Sequence, residues 1–455
     1  MQKIVIDNFG PISHAELELT PLVVLIGEQA SGKSTIAKLV YFFKSLGDEF
    51  LVRYYQSENK KIDYTHHVIM PIREKFYDLF GSTFHLPKFD INYFYNEERS
   101  ISLSLDERKK LNVRLSDGFF SNDDVLGLKG YKTLLIQLNA EILQASNIAE
   151  KISLEERRTK CLHQMADKVN SIFCNEHNDS LYIIAGRNAM VGYSETFEKM
   201  LSIHIQRNIE NRGKRAFEIK EQTIDETLML DFMQKVTSMR QVFNKLGDFE
   251  GIISLSPNKK QSELKCAYDL VKKVVKGNYS SSEYGERIIV HDEEKRYVYL
   301  KDASSGQQES IRILQDSFLS IYTDNNVFRI IEEPEAHLYP ESQMYLLQLL
   351  SVMLNHNGHN QLIITTHSPY VLSVINNLMY AYLVGEKHPE AVRQLIGERS
   401  WLNPSKVRSY MLGNGQVENV VDKDLQMIKA EKIDNVSEVL NDQFDKLLNL
   451  ENKDE

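Results

Sequence analysis

The chain is poor in cysteine, tryptophan and proline, with 3, 1 and 10 of them among 455 residues. Cys161, Cys174 and Cys266 stand far apart with no C-x-x-C pair, which excludes a zinc ribbon or a disulfide frame and leaves the free thiols of a reducing compartment. No apolar run approaches the roughly 20 residues that a membrane-crossing helix needs. Met1-Gln2-Lys3-Ile4-Val5-Ile6 has strand-like alternation and not the apolar core of a signal peptide. We therefore expect a cytoplasmic protein without a membrane partner. Basic excess is missing too: 54 Lys and Arg against 64 Asp and Glu give a net charge of -10. That excludes a generally cationic surface coating nucleic acid without selection, though not a local basic groove. What remains is a globular composition, 42% apolar and 26% charged, in a chain long enough for two or three lobes or one head with large insertions.

One stretch organises the rest. The apolar run Leu22-Val23-Val24-Leu25-Ile26 leads into Gly27-Glu28-Gln29-Ala30-Ser31-Gly32-Lys33-Ser34-Thr35, and a 3.6-residue period follows from Ile36 to about Leu46, where Gly47 is expected to end it. Strand, glycine-bounded G-x-x-x-x-G-K-S loop and helix together are the context that a phosphate-binding loop requires. Its two glycines let successive N–H groups turn inward, and the helix N-terminus adds partial positive charge. Residues 27 to 35 are thus the candidate nucleotide-binding residues, with Lys33 expected at the β- and γ-phosphates and Ser34 at magnesium.

A second apolar strand, Val327-Phe328-Arg329-Ile330-Ile331, ends in Glu332-Glu333-Pro334-Glu335. Carboxylates at the C-terminal end of a buried parallel strand lie where open α/β sheets bind ligands. Glu332 is expected to hold magnesium through its water shell, and Glu333 to polarise the attacking water. Gln361-Leu362-Ile363-Ile364-Thr365-Thr366-His367-Ser368 repeats the design, which puts His367 at the γ-phosphate or the lytic water. Between these segments, Ala303-Ser304-Ser305-Gly306-Gln307-Gln308 precedes a helical run from Ile311 to Tyr322. A serine hydroxyl and a freed backbone at a helix N-terminus make an anion site.

Elsewhere the patterns are mostly structural. Residues 3 to 9 and 14 to 19 alternate around Gly10-Pro11 as a hairpin. Asp106 to Cys174 and 194 to 277 read as charged amphipathic helices with no sustained heptad seam, so a long coiled-coil arm is not expected. Leu181-Tyr182-Ile183-Ile184 is a short strand running into Ala185-Gly186-Arg187. Strands return at residues 287 to 290 and 297 to 300. Asp422-Lys423-Asp424 has the letters of a metal-binding D-x-D but reads as a solvated helix start.

Gly27 to Thr35, Ser305-Gly306-Gln307-Gln308, Ile331-Glu332-Glu333-Pro334-Glu335-Ala336-His337-Leu338 and Thr366-His367-Ser368 fall in the order and spacing of the ABC-type ATPase superfamily. The chain resembles its branch of structural-maintenance, recombination-repair and OLD-type proteins, and these segments look like Walker A, signature, Walker B with D-loop, and H-switch. The resemblance implies an α/β fold: an ABC-type P-loop head, its mixed sheet flanked by helices, with large helical insertions and a short helical C-terminal tail. It implies ATP and Mg2+ as cofactors and slow hydrolysis to ADP and phosphate at a composite intersubunit site. The corresponding assembly is a homo-oligomer of head-to-head dimers, in which Ser304, Ser305, Gly306 and Gln308 of one copy cover ATP held by another.

On this resemblance residues 1–105 form the first part of the head and 106–180 a helical insertion. Residues 181–193 return to the head, 194–280 form a second helical insertion, 281–385 the second part of the head, and 386–455 a C-terminal extension. Two departures stand out. Glu332 occupies a position where many relatives carry Asp, and no Q-loop glutamine follows the phosphate loop. Instead Ile184-Ala185-Gly186-Arg187 resembles an I-P-A-G-R segment of small bacterial ATPases of this branch. Arg187 is expected at the γ-phosphate region or a facing subunit, with a surface ion pair as the alternative and Glu98-Arg99 as a rival.

No nuclease signature of its own is visible, so an output must come from elsewhere. The same motifs, with Gly10-Pro11-Ile12 and a tail from Ile433-Asp434-Asn435-Val436-Ser437 to Phe444-Asp445, resemble ATPase components of bacterial anti-phage modules, the AriA type of PARIS and the PtuA type of Septu. That resemblance implies a scaffold holding a separate nuclease effector, TOPRIM in the first and H-N-H in the second, released when a phage-encoded trigger protein is sensed. The alternative is a DNA-repair ATPase clamping duplex DNA, supported by Lys259, Lys260, Lys272, Lys273 and Lys276, which otherwise read as a solvated helix face. A transporter ATPase fits poorly, because the helical insertions replace the usual coupling surface.

Overall fold

The computed structural model describes residues 2–57, 61–192, 224–282, 285–291, 296–422, 424–429 and 441–446. β1 (Gln2–Phe9) and β2 (Ile12–Leu19) form the expected hairpin, with Ile4, Ile6, Ala15 and Leu17 buried on one side of the alternation. β3 (Leu22–Gly27) is buried on both faces, as a central parallel strand must be. α1 (Lys33–Lys44) follows the loop, and α2 (Leu46–Gln56) continues almost at once. Gly47 therefore lies inside a helix rather than ending one; its missing side chain admits the Phe173 ring, which a Cβ would meet at 3.3 Å.

α3 (Met70–Phe80) and β4 (Asp90–Phe94) come next, then β5 (Ser100–Leu105) and β6 (Leu111–Leu115). This last pair corrects the expectation of helix from residue 106. Leu111 and Val113 alternate inward against Ile101 and Leu103, and the helix starts only where Ser121 and Asp124 cap each other reciprocally. α4 (Asn122–Gln144) and α5 (Ile148–Ile172) then form a helical hairpin, and β7 (Asp179–Ile183) returns to the sheet. Further α-helices among the described residues include α6 (Asn188–Gly192), α7 (Ile224–Leu246), α8 (Phe249–Leu255), α9 (Asn258–Val275), α10 (Ser305–Thr323), α11 (Pro340–Asn355), α12 (Pro369–Gly385) and α13 (Pro389–Leu395). Residues 194 to 223 of the expected second insertion lie outside the described residues.

Eleven strands form one mixed sheet in the order β6-β5-β4-β1-β2-β14-β13-β3-β12-β11-β7, including β11 (Val327–Glu332), β12 (Gln361–Thr366), β13 (Val407–Gly413) and β14 (Gln416–Asn419). β13, β3, β12, β11 and β7 run parallel, so their C-terminal ends share one edge, while the outer hairpins are antiparallel. α1 to α5 pack on the face that displays Val23, Leu25, Ile330 and Ile363. α7 to α12 cover the face with Val24, Ile26, Ile331 and Ile364. A separate three-stranded sheet of β8 (Asn278–Ser282), β9 (Gly285–His291) and β10 (Arg296–Tyr299) leads into α10.

The placement of β13 and β14 corrects the division of the chain at residue 386. These strands are not an appendage: β13 pairs with β3 from Leu22 to Gly27, beside the phosphate loop. Asn414 and Gly415, at φ 52° and 73°, form the turn between them. The helical tail is seen at residues 441–446; the tail motif from Ile433 to Ser437 lies outside the described residues.

Candidate functional site

The C-terminal ends of β3, β12 and β11 gather the sequence-predicted residues at one edge of the sheet. Gly27 and Gly32 take φ of 156° and 103°, a region that L side chains rarely enter, and Ala30 at 59° completes the curl between them. The loop is walled on two sides. A Cβ on Gly27 would stand 2.2 Å from the Leu412 carbonyl oxygen of β13, and one on Gly32 would stand 2.9 Å from Ile12 of β2. Gly32 caps α1 without a side-chain acceptor, so the first-turn N–H groups keep their capacity for an anion.

Glu28, Gln29 and Ala30 are exposed, Ser34 and Thr35 half-buried, and Lys33 buried. The Lys33 ammonium donates to the carbonyls of Gly27 at 2.8 Å and Glu28 at 2.7 Å. Burial holds its pKa below the usual lysine value against the pull of Glu333, Glu335 and Glu332. Ser31 Oγ is buried with no hydrogen-bond partner. An orphaned hydroxyl, unspent helix N–H groups and a lysine turned onto its own loop fit a polyphosphate.

The acids sit opposite. Glu332, 8% exposed, accepts from the Tyr182 hydroxyl at 2.7 Å and from the Ala185 N–H at 3.2 Å. Glu333 takes φ of 42°, unusual for a side chain larger than glycine, with its N–H on the Thr365 carbonyl at 2.9 Å. Its Oε1 lies 3.2 Å from His367 Nε2, and His367 Nδ1 lies 3.4 Å from Lys33 Nζ. The structure thus brings Lys33, His367 and Glu333 into one line. Among the described residues no group of three or more His, Cys, Asp or Glu could hold a metal unaided. Ser34 at the start of α1 and the Glu332 carboxylate are the oxygen donors that a magnesium ion arriving with nucleotide phosphates would take here, keeping part of its water shell.

Sequence reasoning missed the residues that hold this line in place. Glu335 accepts from Thr366 Oγ1 at 2.5 Å and from the His367 N–H at 3.2 Å, while burial raises its pKa. It thereby fixes the backbone that carries His367. Tyr182 holds the Glu332 carboxylate itself, through its hydroxyl. The third acid of Glu332-Glu333-Pro334-Glu335 could have flagged Glu335; nothing local marked Tyr182.

Arg187 is a correction. It is fully buried, which overturns the surface ion pair and the contact with a facing subunit. Its Nη1 donates to the carbonyls of Ile184 at 2.6 Å and Glu332 at 2.7 Å, its Nη2 to Glu333 at 3.0 Å, and its Nε lies 3.1 Å from Glu309 Oε2. The rival Arg99 is likewise turned inward, onto Asp124 at 2.7 Å.

Ser304 caps α10 in a reciprocal box with Gln307, and Ser304 and Ser305 are exposed. Gln308 spends its amide on the carbonyls of Leu300, Lys301 and Ala303, and Gln307 on that of Val275. Gly306 meets the turn after Glu335: a Cβ there would stand 2.6 Å from the His337 carbonyl oxygen. The basic stretch on α9 and its C-cap has local partners: Lys260 pairs with Asp324, Lys272 with Asp269 and the C-cap Lys276 with Glu341, and Lys273 lies over Tyr345. Asp422 caps a turn by accepting from the N–H groups of Asp424 and Leu425. No helix among the described residues is long and apolar enough to cross a membrane.

Three solved structures are similar over most of their length. An SMC head bound to the C-winged helix domain of ScpA is 10% identical, with a TM-score of 0.36 and coverage of 92% of this chain and 96% of that one. The SMC head domain from Thermotoga maritima is 11% identical, at 0.33, 92% and 97%. The recombination mediator protein RecF is 12% identical, at 0.26, 92% and 97%. No curated protein matches the chain. The model of a protein family described as AAA ATPase domain matches residues 1–372. On that match and the nucleotide-loop geometry, the chain belongs to the AAA ATPase domain family.

Proposed function

We propose that the chain is a slow ATP-hydrolysing switch that closes as a pair of copies around ATP and, as a scaffold, holds a separate nuclease until a trigger protein releases it. One observation carries the ATP-dependent pairing: Lys33, His367 and Glu333 are already joined within one copy, while Ser304 and Ser305 stand exposed on a helix end outside that line. A second copy is the natural source of the missing cap.

Within the site, Lys33 exchanges its two loop carbonyls for phosphate oxygens, and the first turn of α1 supplies N–H donors. Glu333 accepts a proton from the attacking water, with His367 holding its carboxylate in place. Ser34 and Glu332 orient magnesium, which when bound neutralises charge developing on the transferred phosphoryl group. The nuclease, of TOPRIM type, and the phage-encoded trigger rest on the resemblance of the ordered motifs to anti-phage ATPases. The acidic balance, 64 Asp and Glu against 54 Lys and Arg, supports this reading over duplex clamping.

The test is size and activity together. Glu333→Gln should bind ATP and shift from monomer to dimer mass in light scattering when ATP is added, and the parent chain alone should not cut DNA with magnesium or manganese. A variant that stays monomeric with ATP bound, or robust cutting by the isolated chain, would overturn the proposal. So would tight duplex binding that weakens steeply with salt.

A further inference from the structure

α10 carries three buried charge-bearing side chains on one stripe, Glu309, Arg312 and Asp316, at the i, i+3, i+7 spacing of a single helix face. Each is paired with a different element. Arg312 takes Glu286 of β9 at 2.6 and 2.7 Å. Asp316 takes Arg329 of β11 at 2.6 and 3.0 Å, and Arg329 reaches on to Asp179 of β7 at 2.7 Å. Glu309 takes Arg187. Buried ion pairs seldom stabilise more than apolar packing of the same volume, so such a row is better suited to fixing position than to adding stability.

The Arg187 pair differs from the other two. Arginine normally meets a carboxylate with two parallel hydrogen bonds, as Arg312 and Arg329 do here. Arg187 Nε donates to the Glu309 backbone carbonyl at 3.2 Å and lies 3.1 Å from Oε2, which also accepts from the Arg187 backbone N–H at 3.1 Å, while Glu309 Oε1 is buried without a partner. The Nη atoms of the guanidinium hold the carbonyls of Ile184, Glu332 and Glu333. Two of those carbonyls belong to the acids assigned to magnesium and water, and Glu333 sits at a strained φ of 42°. The unpartnered Oε1 leaves room for a second pairing of the two side chains. If α10 shifts, the guanidinium can take both Glu309 oxygens and release the carbonyls of Glu332 and Glu333.

We infer that Arg187 and Glu309 form a two-position link between the signature helix of a chain and that chain's own hydrolytic acids. Closure on one nucleotide then sets the acids at the other. This rests on the paired arrangement proposed above. In a head-to-head pair the N-terminus of α10 faces the partner's nucleotide, whereas Glu332 and Glu333 face the chain's own. Arg187 and Glu309 are positioning residues; neither touches substrate.

The experiment uses the full-length chain. Glu309→Gln keeps size and an acceptor for the Arg187 N–H but removes the charge, and Arg187→Lys keeps charge without the forked geometry. Both should form ATP-dependent dimers with parental ATP affinity, while kcat falls by on the order of tenfold, the usual scale of coupling between sites. Cooperativity of hydrolysis in ATP should disappear in both. A parallel fall in ATP affinity and kcat would mark a merely structural role and overturn the link. If both variants fail to fold, amide exchange on Glu333→Gln still decides. ATP should change protection at residues 306–310 and 332–335 together, and Ser305→Arg added to Glu333→Gln, which stops like copies capping each other but keeps the phosphate loop, should abolish both changes. Dimers that form normally with unchanged exchange at 332–335 sink the link alone; failure to dimerise sinks the pairing itself.

Discussion

Gly27 is where the loop meets the C-terminal part of the chain, and Gly27→Ala puts a number on that contact. The added methyl would stand 2.2 Å from Leu412 O and 3.0 Å from Ser31 Oγ. Leu412 O is a backbone atom in register with Gly27 across β13 and β3, so it cannot swing aside as a side chain would. Restoring an ordinary carbon–oxygen separation of about 3.3 Å requires β13 to move by about 1 Å. Overpacking of this kind costs roughly 1–3 kcal/mol and the positive φ a further 1–3 kcal/mol, together about 2–6 kcal/mol. Gly118→Ala is the control, because Gly118 has φ of 76° but nothing within 4 Å of its missing Cβ. It should lose only about 1–2 kcal/mol from the backbone term. Thermal unfolding of both variants, with and without ATP, measures the difference. Gly27→Ala should unfold at clearly lower temperature and bind ATP weakly. If it matches Gly118→Ala in Tm and the parent in ATP affinity, β13 is not a wall of the loop.

Other outcomes follow from the same geometry. Removing residues 407–455 takes two strands from the middle of the sheet, between β3 and β2, so the truncated chain should not yield a folded head by circular dichroism. Glu333→Gln should keep ATP affinity and lower turnover by on the order of 100-fold, as loss of a general base does; parental turnover would remove Glu333 from that role. Lys44 is buried beside the Phe328 ring, and burial pulls its ammonium down to about 7 from 10.5. The folded state thus holds this proton less tightly than the unfolded state. Its penalty on folding is full below pH 7 and fades as pH rises towards 10.5. Lys44→Met should accordingly raise Tm more at pH 6 than at pH 10, and an equal shift at both would contradict the assignment.

The parts legible in sequence were those whose signal is local. The phosphate loop, the acid strand and the strand of His367 each announce themselves by an apolar run ending in a polar cluster. The hairpin β5–β6 was hidden because Ser100 to Leu115 mixes serine and charge with its inward Ile101, Leu103, Leu111 and Val113. β13 was hidden differently. The Asn414-Gly415 turn is a strong hairpin signal, but nothing in the chain's order indicates that its strand would insert next to β3, nearly four hundred residues earlier. Arg187 was visible as a residue but not in its direction. An A-G-R segment gives no hint that the guanidinium folds back onto the carbonyls of Ile184, Glu332 and Glu333.

The central claim is that one copy cannot complete its own nucleotide site. Mixing two inactive variants tests it most directly. Lys33→Ala lacks a working phosphate loop but keeps its exposed serines, and Ser305→Arg keeps the loop but blocks its own cap. Each alone should hydrolyse no ATP. Mixed, they should regain hydrolysis at the one intact site of each mixed pair, rising with the fraction of mixed pairs but about tenfold below the parental rate per site, because the facing site no longer closes. A mixture that remains as inactive as its parts, or a Ser305→Arg chain that turns over ATP at the parental rate alone, would contradict it.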